Sequence, residues 1–237
     1  MKKRLIVLLG AHGHLGRALV SHLIQLQEPV FGMDQQAESD NHELIGYASC
    51  DLRSQANIEK SLQKTPFSEY ENITIITAVG VFSEASFSNN EFNEKDFINS
   101  LQVNLVGVSL FISKMIARGL KEGKTIRAVI VGSTAAHVGS QDIGYGVAKA
   151  GLNGLVRSIS KSLSNKGVVI IGVDPGIFES PMSSRVTMER QQKAMNDTHI
   201  KRKGTVDEIV NVVSYLALSA PDYLTGSIIP LNGGQHA

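Results

Sequence analysis

The sequence predicts an α/β fold, in which a doubly wound parallel sheet is covered by helices on both faces to give three layers in a single domain. The strand candidates are nearly continuous runs of Val, Ile and Leu, which are typical of parallel strands buried on both faces. They alternate with longer stretches of helical periodicity, as right-handed crossovers require. The length of 237 residues, 42% of them hydrophobic, suits one large α/β domain.

This pattern places six strands and four helices. The predicted strands are residues 4–9, 29–33, 72–79, 127–133, 167–173 and 226–231. The predicted helices are residues 14–27, 97–120, 143–164 and 206–218. The irregular stretch 177–204 is rich in Ser, Met, Gln and charged residues, and it follows a strand. We interpret it as a substrate loop that closes over the crevice at the carboxyl end of the sheet, with a surface excursion as the alternative.

Composition excludes several classes of partner and site. The formal net charge is +1 and Trp is absent, so we expect neither nucleic acid nor a membrane surface as a partner. Cys50 is the only cysteine, which rules out an intrachain disulfide and a cysteine-based zinc site and fits a reducing, cytoplasmic location. The first apolar run, Leu5–Leu9, is too short for a signal peptide or a membrane span.

Three glycines, Gly10, Gly13 and Gly16, lie between the first predicted strand and the first predicted helix. That context predicts a Rossmann-type dinucleotide turn, where the backbone approaches a pyrophosphate at a helix N-terminus. Asp34 follows at the end of the second strand, where a carboxylate binds ribose hydroxyls and repels a 2′-phosphate. Because no Lys or Arg follows at positions 35–36, we expect NAD(H) to be preferred, with NADP(H) as the alternative.

The same turn contains two histidines, His12 and His14. Without a third ligand nearby they are poor evidence for zinc, so we expect no metal and predict that they line the turn or face solvent.

Tyr145 and Lys149 lie four residues apart within a predicted helix, and so on one face of it. A phenol has a pKa near 10, and a neighbouring ammonium is expected to lower it toward the working range of an acid–base catalyst. Ser133, twelve residues before Tyr145, lies at the end of a strand, where its hydroxyl can bind a substrate carbonyl oxygen.

Eight short motifs follow one another along the chain. They are the glycine turn, Asp34, Asp51 in CDL, Asn104 in VNLVG, Ser133 in VGSTAA, YGVAK, DPG followed by SPM, and DYLTGSIIPLNGG. From Lys3 to Gly234 this set resembles the short-chain dehydrogenase/reductase family. Three features depart from the family pattern. The spacing GxxGxxG is closer to the extended branch, Thr77–Gly80 replaces the usual Asn-Asn-Ala-Gly, and Asn232 stands where Asp is frequent.

The resemblance implies that the chain is a single NAD(P)-binding domain, residues 1–237, that interconverts a secondary alcohol and a ketone by hydride transfer. Tyr145 would be the general acid or base, Lys149 would hold the nicotinamide ribose and lower the pKa of the phenol, and Ser133 would polarise the reacting oxygen. Asn104 would kink its helix and hold a water that relays protons. Including the turn, the expected cofactor contacts are Gly10, His12, Gly13, His14, Leu15, Gly16, Asp34, Asp51, Leu52, Ala78, Gly80, Tyr145, Lys149, Pro175, Gly176, Ile177 and Ser180.

The substrate is less closely specified. We expect its wall to include His137, Gln141, Phe178 and Met182, a mixture that admits a sugar or polyol, a small ketone or an acyl thioester, with a slight preference for a sugar-like substrate. Two other functions stay open: an epimerase or dehydratase of sugar nucleotides, suggested by the glycine spacing, and a non-catalytic dinucleotide sensor. Members of the family are usually tetramers or dimers, so the resemblance implies a homo-oligomer.

Overall fold

A computed structural model describes residues 3–37, 43–82, 87–88, 91–181, 183 and 187–236. Its main element is a parallel sheet of seven strands in the spatial order β3-β2-β1-β4-β7-β8-β9. A short antiparallel hairpin, β5–β6, lies outside this sheet. The strands are β1 (Arg4–Leu9), β2 (Val30–Asp34), β3 (Gly46–Ser49), β4 (Asn72–Thr77), β5 (Phe87–Ser88), β6 (Glu91–Phe92), β7 (Thr125–Val131), β8 (Val168–Pro175) and β9 (Ile228–Leu231).

Alternate residues of the central strands enter two separate cores. On β1, Leu5, Val7 and Leu9 belong to one cluster, whereas Ile6 and Leu8 belong to the other, and all five are at most 1% exposed. A strand that is covered on both sides must be apolar at every position, which explains why its sequence is continuous rather than alternating.

Helices cover both faces and complete the three predicted layers. Those on one face include α1 and α8, and those on the other include α4 and α6, as their buried residues in the two clusters indicate. The helices are α1 (His14–Gln25), α2 (Gln55–Gln63), α3 (Glu94–Leu101), α4 (Val108–Lys121), α5 (Ala135–Val138), α6 (Ile143–Leu163), α7 (Met188–Asp197) and α8 (Val206–Leu218). Single turns of 3₁₀-helix lie at Phe67–Glu69, Ser164–Lys166 and Asp222–Leu224.

The long predicted helix 97–120 is a helical stretch with a π-helical segment, Gln102–Gly107, between α3 and α4. π-helical segments are rare in proteins, and those that do occur are often found at functional sites. By length and composition this stretch, Glu94–Lys121, is one described helix that could cross a membrane. Half of its most apolar part is buried inside the fold, as in the core helix of a globular domain.

The predicted fold class is confirmed, and each of the six predicted strands is present with ends shifted by up to two residues. The sequence analysis missed the edge strand β3, the hairpin and the helices α2, α5 and α7. Helix α7 lies within the stretch 177–204, which is therefore not wholly irregular. It is a polar helix with Gln191 as its buried residue, so it lacks the apolar periodicity that marked the others.

Candidate active site

The glycine turn packs the start of α1 directly against the end of β1. A Cβ atom at Gly16 would lie 1.9 Å from the Gly10 carbonyl oxygen, and one at Gly10 would lie 2.8 Å from the Ala78 carbonyl oxygen. Gly10 also has a φ of +91°, which favours glycine. Gly13 precedes α1 with no side-chain cap, so the first N–H groups of the helix remain available to an anion. These features fit the pyrophosphate of a dinucleotide.

A crevice of about 220 Å³ opens beside this turn. It lies at the carboxyl ends of β1, β2 and β4, where the order of the strands reverses, which is the expected place for a ligand in an open α/β sheet. Its lining includes many of the predicted cofactor contacts: Gly10, His12, Gly13, Asp34, Asp51, Leu52, Ala78 and Gly80.

Asp34 lies at the end of β2, on this crevice, as predicted. Its Oδ2 accepts a hydrogen bond from the backbone N–H of His12 (3.0 Å) and its Oδ1 accepts one from that of Gln35 (2.7 Å). The ring of His12 stacks on Tyr47 (5.1 Å between centroids) and its Nδ1 is 2.6 Å from Gln36 Oε1. Asp34 is therefore joined to the turn.

The histidines of the turn are exposed or hydrogen-bonded within the crevice wall. His14 is exposed at the start of α1. Among the described residues, no group of three His, Cys, Asp or Glu side chains could hold a metal ion.

Arg53 is a crevice residue that the sequence analysis missed. Its guanidinium lies 3.2 Å from Asp51 Oδ1, and it donates to Asn99 Oδ1 (2.9 Å) and to Gln35 Oε1 (3.4 Å). The absence of Lys and Arg at positions 35–36 therefore did not reveal the cation at this end of the crevice, because Arg53 is brought there from the loop after β3. Leu52, beside it, is 5% exposed and contributes an apolar wall.

Ser133, Tyr145 and Lys149 come together at the carboxyl end of β7. The hydroxyl of Ser133 accepts a hydrogen bond from the Ala135 N–H (3.1 Å) and lies near enough to the Tyr145 phenol to lower its pKa. The Nζ of Lys149 lies 5.5 Å from the centre of the Tyr145 ring and donates to the carbonyl oxygens of Val131 (3.0 Å) and Val79 (3.3 Å). Because Val79 also lines the crevice, the cluster and the crevice are adjacent.

The pKa values of this cluster differ from the expectation. Burial raises the pKa of Tyr145, the hydrogen bond from Ser133 lowers it, and the negative charges of Asp142 and Asp174 raise it, with a net increase. Burial lowers the pKa of Lys149 to about 8. The prediction that the ammonium brings the phenol below its ordinary pKa is therefore wrong for this structure, in which burial is the stronger effect.

Asn104 lies in the π-helical segment and is completely buried. Its Oδ1 accepts from the Val81 N–H (2.9 Å), and its Nδ2 donates to the Val81 carbonyl (2.8 Å) and to Ser100 Oγ (3.0 Å). The π-helical segment replaces regular α-helix around Asn104, while the expected kink and bound water stay predictions. The side chain braces the loop after β4.

Two buried carboxylates near the cluster were missed from the sequence. Asp142 Oδ1 accepts from the Tyr145 N–H (2.9 Å) and so caps α6. Asp174, on β8, accepts from the N–H of Ser133 (3.1 Å) and contacts His137 Nε2 (2.6 Å). The sequence signal for the first was an Asp just before a helix. The second is the Asp of the DPG motif, and its distance in the chain from Ser133 and His137 concealed these contacts.

Of the predicted contacts at and after the end of β8, Gly176 and Ile177 line a second cavity of about 150 Å³, together with Phe178. The N–H of Gly176 donates to Leu231, and Pro175 accepts from the N–H of Thr134. Ser180 exchanges hydrogen bonds with Ser183, which closes a tight turn.

Of the predicted substrate wall, His137 is held by Asp174 and Gln141 is exposed. Phe178 pairs with Gly204 through the backbone and so joins the two ends of the loop 177–204. Met182 lies outside the described residues.

A family model described as enoyl-(acyl carrier protein) reductase matches residues 19–236. The chain belongs to the short-chain dehydrogenase/reductase family, a family of oxidoreductases that bind NAD(P)(H). A 3-oxoacyl-(acyl-carrier-protein) reductase of Buchnera aphidicola subsp. Schizaphis graminum is 25% identical over 244 residues, which covers 100% of this chain and 98% of the relative.

Two solved structures from Brucella melitensis share the fold. One, described as a ribose-5-phosphate isomerase, has a TM-score of 0.87 at 20% identity and covers 99% of this chain and 93% of its own. The other, described as a short-chain dehydrogenase/reductase of the glucose/ribitol dehydrogenase type, has a TM-score of 0.86 at 24% identity and covers 100% of this chain and 98% of its own. At these identities the likeness is one of fold.

Proposed function

We propose that this protein is an NAD(P)(H)-dependent oxidoreductase that interconverts a secondary alcohol and a ketone, with residues 1–237 as one dinucleotide-binding domain and 177–204 as its substrate loop. The proposal rests on one observation: Ser133, Tyr145 and Lys149 lie together beside the crevice. Lys149 donates to the carbonyl oxygen of Val79, and Val79 lines the crevice. A sensor of dinucleotides has no need for a proton donor at this position.

The mechanism assigns one task to each side chain. The nicotinamide of the bound cofactor supplies or accepts the hydride. The Tyr145 phenol donates a proton to the carbonyl oxygen during reduction and accepts it during oxidation, while the Ser133 hydroxyl holds the same oxygen. The Lys149 ammonium, fixed by the carbonyl groups of Val79 and Val131, stabilises the phenolate as it forms.

Asn104 helps to hold Lys149 in position. By holding both backbone groups of Val81, it fixes the loop that carries Val79, one of the two acceptors of Lys149. A residue that positions an acceptor in this way acts through Lys149 rather than on the substrate.

The experiment that tests the mechanism is Tyr145→Phe, with NADH binding as the control. We expect turnover to fall by about 10²–10⁴-fold, the usual contribution of a general acid or base, with NADH affinity near that of the wild type. Full turnover in Tyr145→Phe would exclude the phenol as proton donor.

For the cofactor, we propose a preference for NAD(H). A carboxylate at Asp34 faces the adenosine end of the crevice, and the charge of Arg53 is compensated by Asp51 at 3.2 Å. Titration of the wild type and of Asp34→Ser with NADH and NADPH provides the test, since the ratio of the two affinities is an internal control. We expect the ratio to favour NADH in the wild type and to move toward NADPH in the variant. A wild type that prefers NADPH would show that Arg53, not Asp34, dominates.

For the substrate, we propose a small polar ketone or polyol of the sugar class. We expect His137, whose Nε2 is held by Asp174, to offer a hydrogen bond through Nδ1, and Phe178, which lines the cavity after β8, to offer apolar area. The fold relative described as glucose/ribitol dehydrogenase acts in that class, whereas the sequence relative acts on an acyl carrier protein. A screen of polyols, ketoses and 3-oxoacyl thioesters, followed at the nicotinamide absorbance, separates the two; turnover confined to the thioesters would refute the sugar class.

We also propose that the chain forms a homo-oligomer, a tetramer or a dimer. Three large apolar side chains, Ile98, Val106 and Val147, are between 42% and 54% exposed on the helical layer of α3, α6 and the π-helical segment between α3 and α4. Light scattering during gel filtration tests this, and replacing Val106 by Asp should reduce the mass. A monomer in the wild type would contradict the proposal.

A further inference from the structure

A completely buried carboxylate lies next to the proposed catalytic residues and has no task in the mechanism above. Asp174, on β8, is 0% exposed. Its Oδ1 accepts from the Ser133 N–H (3.1 Å), and its Oδ2 accepts from Asn153 Nδ2 (2.7 Å) and lies 2.6 Å from His137 Nε2. Donors of this kind offset the cost of removing a carboxylate from water. Three elements, β7, α5 and α6, therefore meet at one side chain.

The backbone beside this carboxylate is shaped around it. A Cβ atom at Gly132 would lie 1.9 Å from Asp174 Oδ1, closer than any side chain allows. Gly132 immediately precedes Ser133 in the chain, and its N–H donates to the carbonyl of Val173 (2.7 Å). The end of β7 thus approaches β8 closely enough for the carboxylate to hold the segment that carries Ser133.

We propose that Asp174 is a positioning residue of this active site: it fixes the Ser133 segment, and its negative charge sets the pH range over which Tyr145 accepts a proton. The inference rests on the proposed function of Ser133, Tyr145 and Lys149. It adds a residue that touches neither substrate nor cofactor in that mechanism.

The electrostatic effect of Asp174 acts on both proton-handling groups. Burial is the largest cause that raises the pKa of Tyr145, and Asp142 and Asp174 raise it further. Burial lowers the pKa of Lys149 to about 8, and Asp174 opposes that decrease. Removal of the Asp174 charge should therefore lower the pKa of both groups.

Two imidazoles also face the carboxylate or its partner. His137 is the hydrogen-bonded neighbour, and the ring of His236 stacks on His137 with 4.7 Å between centroids. The assay therefore includes His137→Gln, in which the imidazole beside the carboxylate becomes an amide.

The sign of the expected change follows from the direction of proton transfer. In alcohol oxidation Tyr145 accepts a proton from the substrate. The rate therefore rises with pH, because the Tyr145–Lys149 pair must first release a proton. With both pKa values lowered, the acidic limb of kcat/KM should move to lower pH, by about one unit for a nearby charge in a buried site. A purely structural role would lower kcat without moving this limb.

The test compares the pH profile of alcohol oxidation in the wild type, Asp174→Asn and Asn153→Ala, with the best alcohol from the screen above. Asn153→Ala is the matched control, because it removes a hydrogen bond to the same carboxylate and keeps the charge. We expect the acidic limb of kcat/KM to move to lower pH in Asp174→Asn, both alone and combined with His137→Gln. In Asn153→Ala we expect this limb to stay at the wild-type pH. An unshifted limb in Asp174→Asn, or equal shifts in both variants, overturns the proposal.

If Asp174→Asn does not fold or turn over, the exchange variant D174N/N153D replaces it. This variant keeps one carboxylate against one amide at the same contact, and the amide oxygen of residue 174 can still accept from Ser133. We expect an acidic limb within about 0.3 units of the wild type, since the charge stays within the cluster. A shift of a full unit to lower pH would overturn the role of the charge. Failure of the proposed function itself has a separate signature, namely undiminished turnover in Tyr145→Phe.

Discussion

A methyl group at Gly16 tests whether the turn between β1 and α1 is as tight as the structure indicates. The Cβ atom of Gly16→Ala would lie 1.9 Å from the carbonyl oxygen and 2.8 Å from the carbonyl carbon of Gly10, and 3.1 Å from the carbonyl carbon of Ala11. Real Cβ atoms essentially never approach within 3.0 Å, and the atoms in the way are backbone. The start of α1 must therefore move away from the turn.

The cost of this movement can be bounded from packing. Overpacking a well-packed site costs about 1–3 kcal/mol, and a backbone obstacle places Gly16→Ala at the upper end. The N–H groups of α1 move with the helix, so their alignment with a pyrophosphate is lost. We expect NADH to bind at least about tenfold more weakly, which corresponds to about 1.4 kcal/mol.

Urea unfolding followed by circular dichroism, together with an NADH titration, measures both effects. Ser21→Ala is the control, since Ser21 is exposed on the same helix and the change adds no atom. We expect the control to retain the wild-type midpoint and affinity. If Gly16→Ala also retained the wild-type midpoint and NADH affinity, the close approach of α1 to Gly10 would be refuted. The need for glycine at position 16 would then be refuted as well.

Three further outcomes follow from single side chains. Asn104→Ala should lower the free energy of unfolding in urea by roughly 2–4 kcal/mol, because three hydrogen bonds are lost and both backbone groups of Val81 are left without this partner; an unchanged midpoint would contradict the brace. Thr205→Ala removes the cap of α8 and should cost about 1 kcal/mol, with kcat/KM unchanged; a large loss of activity would show a link to the site. The hydrogen bond from Arg202 lowers the pKa of Glu208 to about 2, so its stabilisation is present above pH 4.5 and is lost as the pH falls toward 2. The difference in melting temperature between pH 6 and pH 3 should therefore be smaller in Glu208→Gln, and an equal difference would refute the pair.

The parts of the site that depend on local chemistry were predicted from the sequence. The glycine turn, Asp34 at the end of β2, and Tyr145 with Lys149 on one helix all follow from short spacings, because a strand end and a helical turn fix the relative positions of nearby residues. The ordered set of motifs then predicted the family that the comparisons show.

Other parts required contacts between distant segments. Arg53 reaches Gln35 only because β2 and β3 pair in parallel, so a cation lies at this end of the crevice although none follows Asp34 at positions 35–36. The pKa of Tyr145 was predicted to fall, yet burial raises it, and burial is a property of the whole packed domain. Asp174 stands in the DPG motif, but the motif does not show that the end of β7, α5 and α6 meet around its carboxylate.

The order of apolar runs by itself determined the layers of the fold. A strand that is buried on both faces has apolar residues at every position, and the sequence shows this directly. The spacing of Tyr145 and Lys149 indicated the acid–base chemistry that we propose for the site. Tertiary structure alone decided the electrostatic setting of that chemistry: which buried carboxylates surround the phenol, which carbonyls hold the ammonium, and which cation lies at the far end of the crevice. Interaction energies between charges depend on distance and on exclusion of water, and neither quantity exists until segments far apart in the chain have packed together.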